Sequence, residues 1–432
     1  MSNNTGVNTK MHNKTRDGVT VTAKVGLPSI AYITLWFPLA SETFIFREIL
    51  GLQTLDASIR VYTMYGKKLK NCSGEMRNFA VPTLRMGIQA TWRILTAFVR
   101  AVRKTPSKVL WLLRKCVARK MRDLETFGEN LWCFFAGFLL AEYCKKDNIS
   151  LMHSAWGNGP ATAAWVAFHL TGIPFAFTGR AGDIYPQDGF LREKSRDALF
   201  IRANNLANVR YLQEFCPAEQ RDKVRLVYNG LTFPTLQDRP KPQNVPFRLL
   251  SIGRFVRTKG FPELLTALAR LKREGVPARL TLAGDGQWRG RLLRLIQRLR
   301  LDDCVDLPGF IPHDQAQAIM QSHDVLVVPS VVHTNGDRDG IPNVIMEGLS
   351  CGMPVVATDV CGIAEVIHNG YSGLLVPQRD PAALARAVRC MLENRDEALR
   401  MAKTGKALVE RMFDNTANIR ALYALYTQYF PR

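Results

Sequence analysis

The sequence predicts an α/β protein of two domains, each a parallel sheet flanked by helices, facing one cleft. Three observations point there. β-Branched runs alternate with stretches of helical period, and the alternation occurs twice. Residues 234–246 (PTLQDRPKPQNVP) carry four prolines in thirteen positions and separate the two alternations. The 432 residues, 47% hydrophobic and 22% charged, suit two or three ordinary globular domains.

Taken in order, residues 1–24 are polar and read as a disordered tail. A first domain is expected over 25–238. Its strands are SIAYITLWFP, IRVYTMY, LMHSAW, PFAFTG, ALFIRAN and VRLVYNG, with helices at 42–52 and 161–170. The linker proper is placed at 239–246. A second domain is expected over 247–415. Its strands are FRLLSIGRF, ARLTLAGDG, CVDLPGF, DVLVVPS, PVVATD and GLLVP, with helices at 262–274, 289–299, 315–321 and 342–351 and another starting at Pro381. Residues 416–432 read as a Tyr-rich helix that crosses back to the first domain. The longest apolar run, 131–141 (LWCFFAGFLLA), falls short of the roughly 20 residues of a membrane span and is expected to be a buried helix.

The formal net charge is +21, and the excess concentrates in 85–122, where eleven Lys/Arg stand with no Asp or Glu. Apolar residues there include Trp92, Ile94, Leu95, Phe98, Val99, Val102, Val109, Leu110, Trp111, Leu112 and Leu113, many of them at helical spacing, and Pro106 divides the stretch into two helices. Such basic amphipathic helices suit an anionic membrane surface. The plainer alternative is a solvated basic face on core-packed helices. Nucleic acid ranks lower, because no RRM, KH or zinc-finger pattern occurs. Nine cysteines, with no CxxC pair, fit a reducing compartment better than a disulfide framework. His313, His323, His333 and His368 show no metal-ligand spacing, so no metal is expected. GxGxxG and P-loop patterns are absent, which argues against NAD, FAD or ATP hydrolysis.

Residues 336–354 (GDRDGIPNVIMEGLSCGMP) are the most informative segment. Asp339 and Gly340 precede a helix that Pro342 is expected to open. The free amides near Asn343 and Val344 would receive phosphate, and Glu347 would face ribose hydroxyls. GRFVRTKG at 253–260 supplies two cations, Arg254 and Lys259, suited to a leaving diphosphate. Asp285 and Gly286 read as a strand-end turn near the nucleotide. His153 follows a strand and is a candidate on the acceptor side, against the commoner structural role of such a histidine.

These C-terminal motifs, with AGDG at 283–286 and GLLVP downstream, resemble the family 4 (group 1) retaining glycosyltransferases of the GT-B fold. FPLASETFIFREI (37–49), HSAW (153–156), FTGRAGDIY (177–185) and YNG (228–230) are similar to the branch that assembles colanic acid and amylovoran. The resemblance implies donor-diphosphate binding at Arg254 and Lys259, donor-sugar contact at Asp339, and ribose contact at Glu347. It places Ser41, Glu42 and Thr43 on the acceptor side, and Asp183 in the cleft beneath the sugar. It implies a nucleotide-sugar donor, a glycan acceptor carried on a polyprenyl diphosphate, no cofactor, and a cytoplasmic location against the inner membrane face. Arg180 departs from the branch, which carries histidine there. Arginine stays protonated and cannot act as a base. It could bind phosphate or an acidic sugar, alter specificity, or mark lost activity. A nucleotide-sugar epimerase of the same fold and a non-catalytic sugar-nucleotide or lipid binder stay open as alternatives.

Overall fold

The computed structural model describes residues 28–430 except 68, 70, 71, 80, 118–123, 187, 232 and 234–244. The expected tail at 1–24, linker residues 239–244 and the end of the basic stretch at 118–122 lie outside the described residues.

The first sheet holds β1 (Ile30–Thr34), β2 (Ile59–Thr63), β3 (Thr83–Arg85), β4 (Leu151–Ser154), β5 (Phe175–Gly179), β6 (Ile201–Ala203) and β7 (Val224–Leu226). All pair in parallel, in the order β3-β2-β1-β4-β5-β6-β7. The second holds β8 (Phe247–Ile252), β9 (Ala278–Ala283), β10 (Val305–Gly309), β11 (Val325–Val328), β12 (Val355–Thr358) and β13 (Leu374–Val376). It too is parallel, ordered β10-β9-β8-β11-β12-β13. Strand order reverses at β1/β4 and at β8/β11. In open parallel sheets, ligands settle outside the carboxyl ends of the strands at such points.

The strands form where the sequence runs apolar without alternation, because helices cover both faces. Every residue of β1, β4, β5, β11 and β12 is buried. Helix Gly159–Thr171 is buried through its first nine residues and lies against helix Leu124–Lys146. A Cβ on Gly137 would come within 2.7 Å of the Val166 side chain, so the crossing needs glycine there. The apolar run at 131–141 belongs to Leu124–Lys146 and supplies core residues such as Phe134, Phe138 and Leu140. Among the described residues, no helix is long and apolar enough to cross a membrane. Pro106 does separate two helices, Thr91–Lys104 and Pro106–Cys116. Strand β3 and helices Leu191–Asp197, Leu206–Gln213 and Arg395–Met412 were not anticipated.

Helix Asn415–Tyr429 packs on the first sheet. Ile419, Leu422 and Tyr426 share a core with Ile30, Tyr32 and Ile49. Beneath it lies a buried polar network. The Tyr32 hydroxyl donates to Glu48, and Arg202 pairs with the same carboxylate. Arg202 also donates to the carbonyls of Val227 and Tyr228, at 3.0 Å each. Removing one partner of a buried pair leaves the other charge uncompensated. Glu48→Gln is therefore expected to lower the unfolding free energy by about 3–5 kcal/mol, read by urea denaturation. An unchanged midpoint would contradict this account of the network.

Candidate functional site

The loop after β8 forms one wall. Phe255 anchors it in the core, while Arg254 is exposed to the cleft. Gly284 adopts φ +140°, and a Cβ there would lie 1.9 Å from the Gly253 carbonyl oxygen. Gly260, at φ +65°, would similarly drive a Cβ to 1.7 Å from the Pro329 carbonyl oxygen. Those two glycines let the loops after β8, β9 and β11 close on one another.

Lys259 Nζ donates to Asp339 Oδ1 at 2.7 Å, and Ser330 Oγ donates to Asp339 Oδ2 at 2.5 Å. Asp339 lines the cleft and Lys259 does not. The three cations of the GRFVRTKG segment thus differ: Lys259 is matched by Asp339 and lies off the cavity, Arg257 lines the cavity but is paired with Glu263, and Arg254 is exposed to the cavity. Asp337 lines the cavity beside them. Burial, and then the charge of Asp339, hold its carboxyl above the ordinary range.

Pro342 is the extended residue before the helix (φ −62°, ψ 128°), and helix Asn343–Ser350 begins one residue later than expected. Its first-turn N–H groups, at Asn343 and Val344, have no carbonyl one turn back. Gly340 and Asn343 line the cavity, whereas the Val344 side chain packs on the adjoining core. Glu347, one turn further, lines a neighbouring cavity of about 580 Å³ with Thr43, Ile252, Phe310 and Ile311. The two cavities share no lining residue, but neighbouring positions border them: Phe44, Arg254 and Asn343 the first, and Thr43, Ile252 and Glu347 the second. Asp285 is exposed, accepts the Gly286 N–H at 2.8 Å, and lines neither cavity, nor does Gly286.

The first domain supplies the facing wall through Phe44, Trp156, Arg180, Asn204 and Asn229. The space enclosed is about 390 Å³, within the usual range of ligand sites. Glu365 fastens the domains. Its carboxylate accepts the Leu206 and Ala207 N–H groups at the start of helix Leu206–Gln213, and the Tyr228 hydroxyl at 2.9 Å.

Besides Asp285 and Gly286, four more expected residues line neither cavity. His153 is fully buried, not on the acceptor side. It stacks on Tyr32 (5.3 Å, 3°), contacts Thr178 Oγ1 at 2.9 Å through Nε2, and meets the Tyr426 hydroxyl at 2.8 Å through Nδ1. A neutral ring protonated on Nε2 satisfies both partners, and burial pushes its pKa down to about 3. Asp183 lines neither cavity, although its neighbours Arg180, Ala181 and Gly182 line the first. Its carboxylate is buried and accepts the backbone N–H groups of Gly157 and Arg180, tying the β4 and β5 loops together. Burial pushes its pKa up to about 7. Ser41 is exposed and Glu42 precedes helix Thr43–Gln53; neither lines either cavity, whereas Thr43 lines the second. Sequence reasoning passed over Phe44, Trp156, Asn204, Asn229 and Asn335. The signal for Trp156 was a large aromatic directly after a buried strand at the sheet's switch point. Among the described residues, no group of three or more His, Cys, Asp or Glu side chains is placed to hold a metal.

Residues 234–408 match the family model described as glycosyl transferases group 1. Those residues are a group 1 glycosyltransferase domain. The group 1 domain includes the whole second-sheet wall, from Arg254 to Glu347. Over 412 residues the chain is 26% identical to a putative colanic acid biosynthesis glycosyltransferase, WcaL, of Escherichia coli (92% of this chain, 98% of that one). It is 29% identical over 229 residues to the amylovoran biosynthesis glycosyltransferase AmsK of Erwinia amylovora (53% of this chain, 56% of that one). Its fold is that of a solved glycosyltransferase from Rickettsia africae (TM-score 0.69, 18% identity, 94% of this chain, 99% of that one). It is also that of Anabaena HepE, solved with UDP (TM-score 0.67, 16% identity, 93% of this chain, 100% of that one). The chain has the GT-B fold.

The buried neutral state of His153 makes stability depend on pH. Above an ordinary histidine pKa of 6.5 the ring is neutral both folded and unfolded. As pH falls from 6.5 toward 3 the unfolded chain takes up a proton that the native state refuses, so stability is lost. Asp183 contributes the opposite slope below pH 7, but it is common to wild type and variant and cancels between them. Relative to His153→Gln, wild type is expected to lose up to about 1.4 kcal/mol per pH unit below 6.5, followed by urea denaturation at stepped pH. A pH-independent difference would contradict a neutral, buried ring.

Proposed function

We propose that the protein is a retaining, metal-independent glycosyltransferase that moves a sugar from a UDP- or GDP-sugar to a glycan acceptor in exopolysaccharide assembly. The observation that carries this reading is the cleft itself. One wall presents Arg254 and the open first turn at Asn343, and the other presents the aromatic and cationic side chains of the first domain. The diphosphate would lie at Arg254 and the first-turn amides, where a guanidinium and a helix N-terminus both favour negative charge. Asp339, held by Lys259 and Ser330, would present its carboxylate edge to sugar hydroxyls, and Glu347 would reach the ribose from the second cavity.

The anomeric carbon–phosphate oxygen bond breaks as the acceptor oxygen bonds on the same face. The acceptor proton passes to the departing diphosphate, so no side-chain base is required and Arg180 is no obstacle. Closure of the cleft excludes water, which favours transfer over hydrolysis. Supporting the assignment are the relatives that carry colanic acid and amylovoran names and the fold shared with HepE, whose structure holds UDP. Sugar conversion in the absence of any acceptor would replace transfer by epimerisation. Arg254→Ala is expected to raise the Kd for UDP or GDP by about 10- to 100-fold, the worth of one charge-assisted hydrogen bond, measured by calorimetric titration. Unchanged affinity would remove Arg254 from the diphosphate site.

The acceptor is proposed to be polyprenyl-diphosphate-linked and presented at the cytoplasmic membrane face. Helix Thr91–Lys104 buries Ile94 and Ala97 against the domain, yet presents a second apolar stripe outward. Ile88, Trp92, Leu95, Val99 and Val102 are all exposed, Trp92 to 74%, and follow one another at three- and four-residue spacing. Arg93, Arg103 and Lys104 stand on the same helix beside the stripe, while Arg100 is engaged by Glu142 at 2.7 and 2.8 Å and Lys108, on the next helix, by the His169 carbonyl at 2.9 Å. An apolar ridge beside cations fits the boundary between anionic headgroups and acyl chains. The free thiols, nine among the described residues, agree with a reducing cytoplasmic setting. Replacing Trp92 and Leu95 by serine together with Arg93→Glu and Arg103→Glu is expected to abolish co-sedimentation with anionic vesicles and leave nucleotide affinity intact. Vesicle binding that survives those changes rules out this face.

A further inference from the structure

We infer that the cleft recognises an oxyanion on its substrate, a carboxylate or phosphate group, through the paired side chains of Arg180 and Trp156. This deepens the glycosyl-transfer reading and rests on it.

Arg180 is only 4% exposed, yet it lines the cavity. Its Nη1 donates to the Ala155 carbonyl at 2.8 Å. Its Nε and Nη2, both shielded from solvent, have no hydrogen-bond partner among the described residues, and the indole Nε1 of Trp156 has none either. The two side chains are neighbours, with the guanidinium carbon 5.2 Å from the Trp156 ring. Three buried donors on adjoining groups at one corner of a cleft are unusual, because nearly all buried polar groups find partners.

The surroundings do not supply the missing acceptors. The nearest carboxylate, Glu48, stands 3.8 Å from Nη2, beyond hydrogen-bond reach, and is already held by Tyr32 and Arg202. Asp183 spends its oxygens on two backbone N–H groups. Two guanidiniums therefore share one paired carboxylate. Phe44 covers the corner, its ring 4.6 Å from the Arg180 guanidinium and 6.0 Å from the Trp156 ring. The donors are shielded from solvent, so a ligand oxygen would reach them only as a neighbouring side chain moves.

Every unmet group here is a donor. The complement is a group with acceptor oxygens only, and a sugar hydroxyl, itself a donor, fits less well. A planar carboxylate meets the guanidinium edge with two parallel bonds; a phosphate offers the same lone pairs. The oxyanion has three sources to distinguish: a uronate donor, a uronate acceptor, or a phosphate such as that of a lipid carrier.

The test is calorimetric binding to wild type, Arg180→Gln and Trp156→Phe, with melting temperature as the folding control. UDP is titrated first, because failure to bind any nucleotide would sink the donor assignment by itself. Three arms follow: UDP-glucuronate against UDP-glucose, methyl glucuronoside against methyl glucoside with and without UDP, and inorganic phosphate against chloride with UDP saturating the diphosphate site. In at least one arm the oxyanion is expected to bind about tenfold or more tighter than its neutral or monatomic counterpart. That preference should vanish in Arg180→Gln and weaken in Trp156→Phe, which keeps the ring and loses only the N–H. The arm that responds identifies the source. No preference in any arm, or one that survives in a folded Arg180→Gln, overturns the inference. If Arg180→Gln does not fold, persistence of the full preference in Trp156→Phe overturns it.

Discussion

One buried carboxylate ties the first helix of the first domain to its sheet. Glu48, on helix Thr43–Gln53, takes the Tyr32 hydroxyl from β1 and the Arg202 guanidinium from β6. In doing so it fixes the helix whose first residues, Thr43 and Phe44, border both cavities. Because Glu48 is committed to Arg202, it leaves Arg180 only a distant partner. A buried ion pair is weak as a source of stability but strong as a determinant of geometry, since moving either member strands a charge. The C-terminal helix joins the same assembly through Tyr426 and His153, so the last element of the chain braces the sheet on which the first-domain wall is built.

The second wall obeys a different constraint. Strand order in the second sheet reverses between β8 and β11, and the loops leaving those two strands must touch for a cleft to form above them. Gly260 and Gly284 make that contact possible by backbone conformation and by the absence of a side chain. The contact then brings Lys259 to Asp339. Asp339 is thereby held as an oriented carboxylate, and Arg254 lines the cavity beside it. The charge pattern of this wall follows from the loop packing.

Much of the architecture was legible because parallel strands covered on both faces must be uniformly apolar, as in IAYIT, FAFTG and VVAT. Strand β3 escaped notice because its three residues, Thr-Leu-Arg, are all half-buried at a sheet edge and carry no such run. At the site, Arg254, Asp339, Gly340 and Asn343 were legible from glycine-rich spacing at strand ends and a helix start. His153 was read as facing the cleft from its place at a strand end, and Asp183 was placed in the cleft by the resemblance; neither lines a cavity, because their side chains are taken by Tyr426 and Thr178 for the histidine and by two backbone amides for the aspartate. Tyr426 lies 273 positions from His153, and no local pattern reports a contact at that separation. Trp156 and Phe44 were hidden because an aromatic residue reads as core until the loop carrying it is seen to face a cavity.

The central claim is that the space between the two sheets receives a nucleoside diphosphate at the second-domain wall. A crystal structure of the protein soaked with UDP tests it most directly. The account predicts phosphate oxygens within hydrogen-bond distance of Arg254 and the Asn343–Val344 amides, with the ribose toward Glu347. A diphosphate seated away from that wall, or directed into solvent, would contradict it.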